Sequence, residues 1–189
     1  MRKEGVKMLR IISGIHRSRL LEQPEENITR PTMDRIREAI FNSIRFKIKD
    51  AIVLDLFAGS GAFSFEAISN GAMKAIAVDN SFAATKVIEK NQNSLNVSNL
   101  EIYKQDVLAF LNNNGGKKFD FIFIDPPYKN YELINETLKT ILHKEYLTKN
   151  GLIIVETNNF NLITIPEGLT IQNNKKYGKV EIIFVSNNN

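Results

Sequence analysis

From Ala51 onward, apolar runs of strand length alternate with amphipathic runs of helix length, and this rhythm constrains the fold more than any other feature. Residues 52–57, 74–79, 100–104, 119–125 and 151–156 read as buried strands. Residues 62–70, 82–95, 107–111 and 131–142 read as helices, the second carrying Val87, Ile88 and Leu95 on one side. Such alternation predicts an α/β fold with a mostly parallel, doubly wound sheet whose ligands lie at the carboxyl ends of the strands. Two further strands, 169–172 and 180–185, joined through Lys176-Tyr177-Gly178, are expected to close the sheet as an antiparallel hairpin.

The first 50 residues differ in kind. Residues 8–30 suggest an irregular or hairpin-forming arm, and a helix is expected after Arg30-Pro31 with Thr32 as N-cap. Met33, Ile36, Ile40 and Ile44 form its apolar stripe, so Arg35 and Arg37, off that stripe, should face solvent or a ligand. Residues 1–50 hold 12 Lys/Arg against 7 Asp/Glu, a net of +5, whereas residues 51–189 carry a net of −1. All eight arginines lie in the first 45 residues. Guanidinium forks suit bidentate phosphate binding, so a basic, phosphate-binding arm and helix (1–50) ahead of an α/β domain (51–189) is expected.

Composition narrows the classes. The chain has no cysteine, and its two histidines, His16 and His143, are far apart, which excludes disulfides and argues against a metal site. No apolar run reaches membrane-spanning length. Arg10, His16 and Arg17 leave no uninterrupted apolar stretch after the basic start, against a secretion signal. A cytoplasmic protein is expected.

Two motifs carry chemistry. The first strand runs into Phe57-Ala58-Gly59-Ser60-Gly61, where missing side chains permit positive φ and close approach of the backbone to a ligand. Ser64 breaks the dinucleotide pattern G-x-G-x-x-G, and a cofactor without pyrophosphate demands less of that cradle. Taken alone, the loop also suits NAD, a nucleotide or a tight turn. Asp55 fits a role orienting an ammonium group, and Asp79, followed by Asn80, can accept from both ribose hydroxyls. Asp106 and the Val107 backbone are placed to meet an adenine, although Asp106 equally suits a helix N-cap.

The second motif, Asp125-Pro126-Pro127-Tyr128, begins 64 residues after Gly61 at the end of another apolar run. Prolines stiffen the turn and lack N–H groups, leaving carbonyls for a ligand. A carboxylate that accepts the hydrogens of a planar amine favours the pyramidal geometry attack requires, and offsets charge moving onto nitrogen. Tyr128 would stack on a base, worth about 1–3 kcal/mol. Together the motifs predict methyl transfer from S-adenosylmethionine to an exocyclic or amide nitrogen, with Asp125, Pro126, Pro127 and Tyr128 at the chemistry. Phe57, Ala58, Gly59, Ser60, Gly61, Asp55, Asp79, Asn80, Asp106 and Val107 would serve the cofactor. Alternatives are methylation of DNA adenine N6 or protein glutamine N5, an NAD-dependent oxidoreductase, and an RNA-binding module without catalysis.

With these residues in place, the chain resembles the RsmD family of 16S ribosomal RNA guanine-N2 methyltransferases. The likeness runs from Met8 through Leu9-Arg10-Ile11-Ile12-Ser13-Gly14 and Arg30-Pro31-Thr32-Met33-Asp34-Arg35-Ile36-Arg37-Glu38, then the glycine loop, Asp125–Tyr128 and Lys175-Lys176-Tyr177-Gly178. It implies a Rossmann-like class I methyltransferase fold, S-adenosylmethionine as cofactor, and a monomer acting on one guanine of 16S rRNA in the assembled or nearly assembled 30S subunit. His16, Arg17, Arg30, Thr32, Arg35 and Arg37 would then hold RNA. The chain departs from the family at Asp79, where glutamate is frequent, and at Ser81 and Ser43.

Overall fold

The computed structural model describes residues 8–24, 31–127 and 130–188. Two short strands, β1 (Met8–Arg10) and β2 (Leu20–Glu22), pair as an antiparallel hairpin ahead of helix α1 (Pro31–Ile44). The alternating part follows as β3 (Ile52–Leu56), α2 (Ala62–Ser69), β4 (Lys74–Asp79), α3 (Phe82–Leu95), β5 (Leu100–Lys104), α4 (Val107–Asn113), β6 (Phe119–Ile124), α5 (Tyr131–His143) and β7 (Leu147–Thr157). A 3-10 turn (Phe160–Leu162) leads to the final hairpin, β8 (Leu169–Tyr177) and β9 (Val180–Asn187).

Seven strands form one sheet in the order β5-β4-β3-β6-β7-β9-β8. Strands β3 to β7 are mutually parallel, and β9 runs antiparallel to β7 and to β8. The chain winds outward through β4 and β5, then crosses back so that β6 lies beside β3 with Leu56 opposite Ile124. This is the switch point, where connections leave in opposite directions and open a crevice. The residues just past it, Phe57 and Asp125, therefore emerge side by side.

Alternation along the strands divides the core. Val53, Phe121, Phe123 and Ile154 face α1, α2 and α3, while Leu54, Ile122, Ile124, Ile153 and Val155 face α4 and α5. Leu9, Ile11 and Leu21 of the first hairpin are buried in the former cluster beside Ile36, Ile40 and Ile44. The basic arm thus shares a hydrophobic core with the sheet rather than standing apart from it.

Several expectations shift. Helix α1 begins at Pro31, so Thr32 lies inside the helix and is not its N-cap; a proline suits the first helical position because no N–H is needed there. Strand β8 reaches Tyr177, well past the expected end, through the exposed run Gln172, Asn173 and Asn174 and the half-buried Lys175. It lies at the edge of the sheet, where polar and lysine-bearing residues guard unpaired backbone. Among the described residues no helix is long and apolar enough to cross a membrane.

Candidate active site

The turn after β3 is built on left-handed residues. Phe57, Gly59 and Gly61 have φ of 63°, 56° and 75°. For a phenylalanine this costs about 1–2 kcal/mol, and that strain falls where the β3 strand end opens onto ligand space. At Gly61 a Cβ would lie 2.9 Å from the Phe65 ring and 3.3 Å from Ile88. Gly61→Ala is therefore expected to destabilise the fold by about 1–2 kcal/mol and to weaken S-adenosylhomocysteine binding through a displaced loop. Urea unfolding and calorimetry check both, and an unchanged affinity would count against the loop as the cofactor cradle.

Two cavities meet at this turn. The first, of about 370 Å³, is bounded by Phe57, Ala58, Gly59, Ser60, Asp79, Asp125, Pro126 and Pro127, with a roof from Leu9, Pro24, Met33, Ile36 and Phe63. The second, of about 400 Å³, is bounded by Phe57, Asp79, Asn80, Asp106, Val107, Pro127 and Asn130. Phe57, Asp79 and Pro127 border both, which makes one elongated cleft along the ends of β4, β3 and β6. Asp79 sits at its waist, accepting hydrogen bonds from Gly59 N and Ser81 N, each at 2.8 Å. Asp106 Oδ1 accepts from Ala109 N at 2.9 Å, capping α4 at the far end.

An S-adenosyl group fits this cleft by shape and by chemistry. The Asp106–Val107 end offers a half-apolar slot for a planar base, Asp79 a waist for ribose hydroxyls, and the Gly59–Ser60 end room for an amino-acid tail beside Asp125. Asp55 is a correction to the sequence reading. It is 1% exposed, borders neither cavity, and its Oδ2 accepts from Ser64 N (3.0 Å) and Ser64 Oγ (2.7 Å). It caps the first turn of α2 from the neighbouring strand and so fixes the loop rather than an ammonium group. Burial pushes its pKa up to about 7 against the lowering effect of the Ser64 hydrogen bonds. Gly61 likewise acts below the cleft.

At the other wall, Asp125 follows β6 and Glu156 lies near the end of β7, one step beyond the parallel pair Ile124 and Val155. Both carboxyls border the first cavity and a smaller one of about 130 Å³ lined by Tyr131, Thr157 and Asn158. Burial raises the Asp125 pKa to about 6. Burial, and then the neighbouring Asp125 charge, push Glu156 up to about 8. Sequence reasoning missed Glu156 as a site residue, although it ends an apolar run as Asp79 and Asp125 do. Tyr128 lies outside the described residues.

The basic residues are not gathered in one place. Arg30 lies outside the described residues, as does the Thr32 side chain. Arg35 and Arg17 are exposed, and His16 is half-buried. The turn bearing His16 and Arg17 docks on Ser69 at the end of α2, through His16 N to Ser69 Oγ at 2.9 Å. An eight-residue helix spans about 12 Å, so this turn lies far from the glycine loop. Arg37 is a second correction: it is 3% exposed, not solvent-facing, and donates to Arg10 O (2.6 Å), Asp34 Oδ1 (3.1 Å) and Glu66 Oε2 (3.4 Å). It ties the arm to α2, its charge met by two carboxylates, and it borders the first cavity from beneath the arm.

The architecture recurs in known proteins. The structure superimposes on that of the Escherichia coli protein yhhF with a TM-score of 0.86 and 32% identity, covering 96% of this chain and 98% of that one. The chain is 34% identical over 177 residues to ribosomal RNA small subunit methyltransferase D of Escherichia coli K12, covering 93% of this chain and 88% of that protein. Its counterpart from Haemophilus influenzae is 32% identical over 182 residues, covering 95% and 94%. The fold is the Rossmann-like class I methyltransferase fold. Residues 9–186 match the family described as conserved hypothetical protein 95, and the chain belongs to this family, alongside the proteins called ribosomal RNA small subunit methyltransferase D.

Proposed function

We propose that this protein is an S-adenosylmethionine-dependent methyltransferase that modifies the exocyclic N2 of a guanine in 16S rRNA of the small ribosomal subunit. The observation that carries this reading is the position of Asp125 beside the glycine loop at the β3–β6 switch point, in the wall of a cleft sized for an adenosyl cofactor. The relatives named for small-subunit rRNA methylation support the substrate.

Bound S-adenosylmethionine supplies an electrophilic methyl group on a positively charged sulfur. Asp79, Asp125 and Glu156 gather at the strand ends, a concentration of carboxyls suited to a cofactor with sulfonium and ammonium charges. Asp125 accepts an N–H of the target amine and keeps its lone pair directed at the methyl carbon. Methyl transfer, with the C–S electron pair left on sulfur, would make the amine cationic. Asp125 offsets that charge and takes the released proton. Pro126 and Pro127 keep the turn rigid. Residues 1–50 serve as the RNA-binding extension on the 51–189 methyltransferase domain, with Arg17, Arg35 and His16 reaching phosphates outside the cleft.

Asp125 must be ionised to act, so its raised pKa predicts activity that falls as pH drops through about 6. In the cofactor complex the nearby positive charge draws that pKa down, and kcat/KM for the RNA at saturating cofactor should rise with a midpoint at or below pH 6. A midpoint near 8 would instead assign the base to Glu156. The reading itself is tested by incubating the protein with labelled S-adenosylmethionine and 30S subunits from cells lacking the enzyme. Nuclease digestion and mass mapping should yield N2-methylguanosine in 16S rRNA; label on adenine, or on a ribosomal protein, would contradict it.

A further inference from the structure

The two carboxyls at the head of β6 and β7 form a pair of which the proposed reaction uses only one member. Along β6, Phe121 and Phe123 face α1 and α2, and along β7 Ile154 does so. Two residues further on in each strand, Asp125 and Glu156 point to the same side. Neighbouring strands lie about 4.8 Å apart, so the two side chains enter the same cavity as adjacent hydrogen-bond acceptors. The burial that raises both carboxyl groups, and the further rise of Glu156 beside Asp125, belong to acceptors that face each other's field in a partly dry space.

Neighbouring acceptors call for neighbouring donors. Guanine offers them, because the N1–H stands directly beside the N2 amine. Adenine and cytosine place an unprotonated ring nitrogen beside the amine, and a carboxamide places a carbonyl oxygen there; each would turn a lone pair toward the second carboxyl. We infer that Glu156 is a specificity-determining residue, accepting the N1–H of the guanine whose N2 amine Asp125 holds. Ionised, the state that the cationic cofactor beside it favours, Glu156 offers acceptors alone. This inference rests on the guanine-N2 reading and explains, from side chains of this chain, why that base is chosen over other planar amines.

The test compares 30S subunits whose 16S rRNA carries guanine or 2-aminopurine at the mapped position. 2-Aminopurine keeps the 2-amine but has a bare N1. A hydrogen bond to a charged group is worth about 1.5–3 kcal/mol, so the wild-type protein should favour guanine in kcat/KM by about 10–100-fold. Glu156→Ala should bring that ratio close to unity. Glu156→Gln, which preserves size, keeps a neutral acceptor for N1–H and adds a donor for a bare N1, so it should lower the ratio several-fold; it also keeps the test decisive if the alanine variant folds poorly. Guanine methylated normally but with equal use of 2-aminopurine by the wild type, or a preference that survives in both variants, would overturn the role of Glu156 alone. Absence of transfer to the guanine substrate would overturn the guanine-N2 reading and this inference with it.

Discussion

Replacing Asp125 with alanine is expected to lower kcat for methyl transfer by about 10²–10³-fold, the usual cost of removing one preorganised group from a developing charge. The affinity for S-adenosylhomocysteine should change only a few-fold, because Asp79, Asp106 and the glycine loop form the rest of the cleft. Asp125→Asn keeps a carbonyl acceptor but loses the charge and the titration. It should therefore retain part of the activity and lose the rise in rate through about pH 6 that the wild-type carboxyl imposes. Single-turnover kinetics separate this chemical effect from binding. Undiminished single-turnover rates in Asp125→Ala would remove the central group from the mechanism.

Glu66→Ala is expected to destabilise the fold more than either Asp125→Ala or Gly61→Ala. Glu66 is 1% exposed and accepts from Ile12 N (2.9 Å), Ser13 N (2.8 Å), Ser13 Oγ (2.8 Å) and Arg37 Nε (3.4 Å). One buried carboxylate on α2 thus satisfies two backbone amides of the arm and the guanidinium of α1. Removing it takes the shared acceptor from two amides at once and leaves the buried Arg37 with one carboxylate in place of two. Breaking a buried pair from one side costs about 3–5 kcal/mol, and at this chain length each kcal/mol lowers Tm by about 2–4 °C. The arm should loosen first, seen as faster hydrogen exchange at Ile12 and Ser13. Leu9 and Pro24 roof the cleft, so cofactor affinity should fall as well. A loss below about 1 kcal/mol with those amides still protected would show that the arm is held by its apolar contacts alone.

The sequence was most legible where local chemistry and tertiary setting agree. The bounds of β4, α3 and β5 follow their apolar runs closely, and the cap of α3 is a local one, with Ser81 Oγ accepting from Ala84 N. Asp79 and Asp106 could be placed at the cleft because each ends a strand of a parallel sheet, where ligands gather. The fold class came from the same alternation.

Direction was the part that sequence could not reveal. Asp55 sits in a strand buried on both faces, and nothing local says whether such a carboxylate looks into a cleft or toward the first turn of the next helix. Arg37 lay off the Ile36–Ile40–Ile44 stripe, yet α1 is covered on a second side by the arm, so Arg37 and Phe41, one turn apart, are buried too. Glu156 belongs to no short motif, and only the register that sets it beside Asp125 gives it meaning. A carboxylate closing each of three apolar runs, at Asp79, Asp125 and Glu156, was the available signal.

The most direct measurement is a crystal structure of the protein with S-adenosylhomocysteine. Adenine is expected in the Asp106–Val107 slot, the ribose hydroxyls on Asp79, and the sulfur turned toward open space beside Asp125 and Glu156. A ligand whose sulfur points away from those two side chains, or one bound elsewhere on the molecule, would contradict a methyl-transfer centre at the ends of β6 and β7.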